Sequence, residues 1–290
     1  MSKSKKTRIQ HVLRVEAKKQ LTPHMTRMVL GGPGFDAIEF KSVGESPATD
    51  QYIKLLFLPP ALEADPQAQQ SLNLERPFDM EALREKLPTE QMPVTRTYTI
   101  RHVDHLNRQI WVDFVIHGDE GLAGVWAKHA QPGDLISFFG PGSAYAPRAE
   151  SDWHLLAGDE AALPAIASAL ESMAEDARGL VVVEVRDAAE RQPLTVPEGV
   201  DLVWLHREAD FSPETTMLAD YLAELTIPAG DVQVFVHGER AQTKRIRRIL
   251  VEEKGLPRKG MSLSAYWAHG RIEDEFQAEK STPAGQIDPE

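Results

Sequence analysis

An arginine, a tyrosine and a threonine stand close together in Arg96-Thr97-Tyr98-Thr99-Ile100-Arg101, and their chemistry suits one kind of ligand. A guanidinium fork can hold a diphosphate oxygen bidentately, a phenol can cover the face of a planar ring, and a nearby hydroxyl can reach a ring nitrogen. That is the mix a flavin dinucleotide needs. The run is β-branched and aromatic, so it reads as a strand, and alternation sends Arg96, Tyr98 and Ile100 to one face and Thr97, Thr99 and Arg101 to the other. Taken alone, it is equally an ordinary barrel strand with an exposed arginine.

The surrounding chain sets limits on what these residues can serve. Its 290 residues, 42% of them hydrophobic, can bury two modest cores and predict two domains. A net charge of −12 disfavours nucleic acid or an anionic membrane surface as the main partner. With no cysteine, disulfides, thiol catalysis and protein-held iron–sulfur clusters are excluded. The histidines lack metal-ligand spacing, so no resident metal is expected. Electrons, if they move here, use an organic cofactor or the substrate. No apolar run is long enough to span a bilayer, and the basic start Met1-Ser2-Lys3-Ser4-Lys5-Lys6 lacks the apolar core of a secretory signal. The cytoplasm is the expected location.

Up to about residue 148, short strands alternate with turns, which predicts a small antiparallel Greek-key barrel. The strand Gln51–Leu58 carries Lys54 in an otherwise apolar run, either snorkelling or aimed at a site. Residues 61–92 read as an inserted surface excursion with one short helix near Met80–Leu87. Small residues at Leu122-Ala123-Gly124 open a two-turn helix whose free N–H groups could meet a phosphate, or which is simply a tight connector. After residue 150 the rhythm changes to strand, glycine, helix. Trp153–Gly158, Leu180–Val185, Asp201–Leu205, Val232–Val236 and Ser262–Trp267 alternate with helical patterns, predicting a doubly wound parallel sheet that binds a nucleotide. Asp159-Glu160 opens the first helix. As a lone signal this pair is a helix cap, and its charge repels a phosphate. The expected division is 1–148 for the barrel, 151–269 for the α/β domain and 270–290 for a tail holding at most one helix.

A barrel with Arg96-x-Tyr98-Thr99 ahead of a βα domain resembles the ferredoxin–NADP reductase superfamily. Three further stretches sharpen the likeness. They are Asp113-Phe114-Val115-Ile116-His117-Gly118 with Trp126-Ala127, Ala157-Gly158-Asp159-Glu160-Ala161-Ala162-Leu163-Pro164-Ala165, and Gly238-Glu239 with Ala265-Tyr266-Trp267-Ala268-His269-Gly270. In this order they resemble the siderophore-interacting proteins, flavin-dependent ferric-siderophore reductases, over roughly residues 8–272.

The resemblance implies that Arg96 binds the FAD diphosphate, Tyr98 packs on the isoalloxazine and Thr99 bonds the ring near its reactive nitrogen. It places His117, Gly118, Ala123, Gly124 and Trp126 on the rest of the FAD, with Thr97, Asp113 and Val115 counted among the contacts. Gly158, Asp159, Glu160 and Ala161 would form the turn beside NADPH or NADH, lined also by Glu239, Tyr266 and Trp267. Ala161 stands where the family often has threonine, and Ala268 and His269 where it has arginines. NADPH, NADH and a protein donor such as ferredoxin therefore all stay open. An acidic protein needs local cations to hold an anionic ferric siderophore. Lys54, Lys128 and the Lys244-Arg245-Ile246-Arg247-Arg248 face, above all Arg247 and Arg248, are the candidates; the last cluster is equally a solvated amphipathic face. A monomer is expected, without nucleic-acid or integral membrane partners. A general flavin or quinone reductase and a non-enzymatic flavin or siderophore carrier are the alternatives.

Overall fold

Period-two burial closes six antiparallel strands into a barrel in the first of two compact units, Met1–Ser42 with Gln51–Ser143. In chain order the strands are β1 (Gln10–Thr22), β2 (Met25–Gly31), the short pair β3 (Ser42–Val43) and β4 (Ser46–Pro47), β5 (Tyr52–Phe57), β6 (Val94–Asp104), β7 (Gln109–Val115) and β8 (Leu135–Gly142). Around the barrel they run β1-β2-β7-β6-β5-β8, the Greek-key connection expected. Leu13, Val15, Met28, Leu30, Ile53, Leu55, Val112 and Phe138 fill the interior. The computed structural model describes residues 9–116, 118 and 121–288.

The excursion after β5 holds more than one helix. It forms α1 (Pro60–Glu63), α2 (Pro66–Leu72) and α3 (Met80–Lys86). Its Leu74, Phe78 and Leu83 bury against Leu56 and Leu58 while the rest of residues 61–92 stay exposed or half-exposed, a surface excursion with an apolar anchor. Arg76 anchors it, Nη1 donating to Leu56 O at 2.9 Å and to Ser137 Oγ at 2.7 Å, with the guanidinium 4.6 Å from the Phe78 ring centre. Helix α4 (Ala123–His129) then packs Ala123, Ala127 and Trp126 on the barrel core.

The second unit, Val43–Asp50 with Ala144–Glu290, is a parallel sheet of β9 (Trp153–Gly158), β10 (Gly179–Val185), β11 (Val200–His206), β12 (Val232–Glu239) and β13 (Ser262–Trp267). The order β11-β10-β9-β12-β13 turns back at β9, so the topological switch point lies between β9 and β12. Alternate strand residues bury on opposite faces. Leu156, Val181 and Val183 meet α5 (Leu163–Ser172), while Leu155, Val182 and Val234 meet α6 (Met217–Glu224) and α7 (Arg240–Arg248). Helix α7 continues into a π-helical turn, Ile249–Glu253. The tail forms α8 (Glu273–Glu279), whose Phe276 buries against Ala265 and Ala268.

Candidate functional site

On the barrel, β6 pairs with β5 so that Leu55 opposes Arg96, Ile53 opposes Tyr98, Lys54 opposes Thr97 and Tyr52 opposes Thr99. Directly opposed residues share a face, and Ile53 and Leu55 are in the core. Arg96 and Tyr98 therefore lie on the inward face, as alternation predicted, and Thr97, Thr99 and Lys54 on the outward one. The Tyr98 ring sits 4.3 Å from that of Phe114, and Phe114 is 5.7 Å from Trp126, a continuous aromatic surface. Arg96 Nη1 donates to Thr95 O at 2.8 Å. Thr99 is buried and Thr97 exposed. Gly118 and Gly121 take left-handed backbone at φ +58° and +81°, which a side chain would strain. They lead to Ala123 and Gly124 at the start of α4, beside the end of β7 at Val115. A guanidinium and a phenol on one face of β6, a hydroxyl on the other and small-residue backbone at α4 are groups of the kinds that a FAD would need. His117 lies outside the described residues.

Asp113 is engaged within the barrel: its carboxylate accepts Arg27 Nε at Oδ1, 2.6 Å, and Arg27 Nη2 at Oδ2, 2.7 Å, so the side chain braces β2 to β7.

At the carboxyl end of the sheet, Gly158 closes β9, and Asp159 is buried with all its acceptor capacity used. Oδ1 accepts the N–H groups of Ala161 at 2.9 Å and Ala162 at 3.3 Å, and Oδ2 accepts Glu239 N at 2.9 Å and Trp267 Nε1 at 2.8 Å. Burial, then the charge of Glu160, push its carboxyl up to about 7 against those donors. Asp159 thus caps a turn, as the sequence suggested, but the helix begins only at Leu163. The N–H groups of Ala161, Ala162, Leu163, Ala165 and Ile166 are all consumed within the turn, and Pro164 has none. These five amides are therefore not free to cradle a phosphate. Gly238 is required beside it: a Cβ there, at φ +150°, would stand 2.7 Å from Asp159 Oδ2.

Glu160 is likewise engaged. It accepts Arg186 N at 2.8 Å and Arg207 Nη2 at 2.5 Å, and Arg207 reaches on to Glu184 at 3.2 Å. Glu184 also accepts Leu218 N at 3.0 Å and Gln242 Nε2 at 3.2 Å, while burial raises its pKa. Burial opposes the charge of Arg207, but Glu160 and Glu184 outweigh it and raise its pKa. The sequence reading missed Arg207. Its signal was Glu184, a lone acid in the strand Leu180–Val185, buried on both faces, which had to find a cation. Glu239 caps α7 by accepting Gln242 N at 2.9 Å and accepts His269 N at 3.2 Å, so it too orders backbone. Trp267, Tyr266 and Phe211 are half-exposed here, with exposed His269 beside them.

The cation candidates divide. Lys54 stands half-exposed on the outward face of β5. Lys128, exposed on α4, accepts Lys18 Nζ at its carbonyl at 2.9 Å. Arg247 is taken by Glu252 at 2.8 Å and Asp288 at 3.0 Å, and Arg248 lies 3.9 Å from Glu253. Carboxylates of the tail and of the π-helical turn thus stand beside both arginines, and Arg247 is the more firmly engaged. Among the described residues no group of acidic or histidine side chains converges as a metal site, and no helix is long and apolar enough to cross a membrane.

Comparison with known proteins follows the two units. Residues 14–145 match the siderophore-interacting FAD-binding domain, and residues 151–270 match the siderophore-interacting protein model. An uncharacterised protein of Mycobacterium tuberculosis (strain ATCC 25618 / H37Rv) is 42% identical over 276 residues, 92% of this chain and 93% of that protein. The NADPH-dependent ferric-chelate reductase of Escherichia coli (strain K12) is 30% identical over 260 residues, 88% of this chain and 91% of that one. A crystal structure of a siderophore utilization protein from T. fusca shares the fold with a TM-score of 0.74 at 32% identity, covering 91% of this chain and 94% of the other. Two matched domains in the order the motifs predicted, the first a barrel with groups of the kinds that a FAD would need, make this chain a member of the siderophore-interacting protein family.

Proposed function

We propose that the protein is an NAD(P)H-dependent ferric-siderophore reductase of the cytoplasm, acting as a monomer. FAD, when bound, couples a two-electron donor to one-electron acceptors, so one NADPH or NADH serves two ferric chelates. The observation that carries this reading is the β6 donor set, Arg96, Tyr98 and Thr99, in a domain matched as FAD-binding. Arg96 would neutralise the diphosphate, Tyr98 with Phe114 behind it would cover one ring face, and Thr99 would bond the ring edge. Lys54, with Lys128, would draw in the anionic chelate against the net charge of −12. The iron is substrate, held by its own chelator. Hard oxygen ligands grip ferrous iron less tightly than ferric, so reduction releases it.

The test starts from the absorption spectrum of the purified protein and its FAD content after denaturation. Anaerobic mixing with NADPH and with NADH should bleach the flavin band, and added ferric siderophore should restore it. A colourless protein that takes up no FAD overturns the reading. Bleaching by neither dinucleotide leaves a carrier or a protein-fed reductase, and faster turnover on free flavins or quinones than on ferric chelates marks a general reductase. Lys54→Ala should raise KM for an anionic chelate and flatten its dependence on salt.

A further inference from the structure

We propose that the planar ring of the dinucleotide is gripped by an aromatic shelf of Phe211, Trp267 and His269, with Asp159 as the residue that positions it. This rests on the reading above that NADPH or NADH is the donor. Phe211 stands between the other two rings, 5.0 Å from Trp267 edge-on and 6.0 Å from His269 at 45°. All three sit at the carboxyl end of the sheet, where doubly wound folds bind ligands. Each residue meets a charged group that is itself committed. The Trp267 indole donates through Nε1 to Asp159, the His269 backbone N–H donates to Glu239, and the Arg207 guanidinium lies over the Phe211 ring at 5.9 Å. The indole is therefore oriented before a ligand arrives.

The usual grip is reduced. Five amides of the turn opening α5, those of Ala161, Ala162, Leu163, Ala165 and Ile166, are bonded within it, and Arg207 is held by Glu160 and Glu184. A heteroaromatic ring needs neither amides nor cations, only a face, and stacking is tolerant of which ring it meets. Around Asp159 the charged neighbours are Glu160, Glu184, Glu239 and Arg207. No cation touches its carboxylate directly, so it holds the indole by N–H donation and not by an ion pair.

The test uses the full-length flavin-loaded protein and whichever dinucleotide bleaches the wild type. Phe211→Leu keeps apolar volume but removes the central face, and should raise the Kd for the reduced dinucleotide about tenfold while the limiting rate of bleaching stays within about twofold. Trp267→Phe keeps a ring but deletes the N–H bonded to Asp159. It should raise Kd about threefold and reduce the tryptophan quenching expected when the wild type is titrated with oxidised dinucleotide. Asp159→Asn should follow Trp267→Phe in Kd; if it fails to fold, the other two variants decide. Wild-type Kd in both Phe211→Leu and Trp267→Phe, or quenching undiminished in Trp267→Phe, overturns the shelf. A wild-type flavin that neither dinucleotide bleaches overturns the donor reading itself, a separate result.

Discussion

Two arginine–carboxylate networks in the second unit look alike on paper and differ in what surrounds them. At the carboxyl end of the sheet, the Arg207 side chain is 7% exposed between Glu184 at 0% and Glu160 at 15%. Around the tail, Asp288 joins Arg247 and Arg258, and Glu279 joins Arg240 and Arg271, with Asp288 48% and Arg271 45% exposed. The buried set cannot lose a member without stranding a charge away from water, whereas solvent can stand in for the half-exposed Asp288 and Arg271 of the tail set. Burial, and not the number of ion pairs, decides which network the fold depends on.

Removing Arg207 is the sharpest way to break that contrast. Arg207→Ala should destabilise the protein by about 3–5 kcal/mol by leaving Glu184 buried and unpaired, read as a fall in urea midpoint. The same logic reaches the barrel, where Asp113 depends on Arg27. Arg27→Ala should cost about 2–3 kcal/mol, and comparing its urea midpoint with that of Arg207→Ala ranks the two buried sites.

A titration extends the comparison to a buried group without a charge partner. His237 is buried, its Nε2 2.9 Å from Ser262 Oγ, and burial lowers its pKa to about 3. The unfolded chain takes up a proton near 6.5 and the folded chain does not. Stability from this residue is therefore complete above pH 6.5 and falls as pH drops toward 3, at up to about 1.4 kcal/mol per unit. His237→Phe should lose that slope, so its melting temperature should gain on the wild type as the pH is lowered. The smallest effect belongs to the tail. Arg258, and then Arg247, hold the Asp288 carboxyl below its ordinary range, yet solvent screens the interaction. Asp288→Ala should change stability by no more than about 1 kcal/mol, and 1 M salt should erase the difference; a larger, salt-insensitive loss would void the contrast.

The rhythm of the chain made the architecture legible. Strict alternation marked the barrel strands, apolar runs separated by helical patterns marked the parallel sheet, and the faces of Arg96, Tyr98, Thr97 and Thr99 followed from period two alone. Asp159 could be read as a cap because capping is local. What escaped was set by pairs distant in sequence: Glu184 with Arg207, Asp113 with Arg27 and Arg247 with Asp288. No local pattern announces which acid a given arginine will meet. The apolar anchor of the excursion after β5 escaped for a related reason, since a polar composition hid three apolar residues spaced to reach Leu56 and Leu58.

Gly238 carries no functional group, yet it governs the indole of Trp267. A single methyl added there would strike the oxygen on which that indole hangs. The ring could then be unseated by a backbone position that never touches it, which makes this glycine the fulcrum of the Asp159–Trp267 bond.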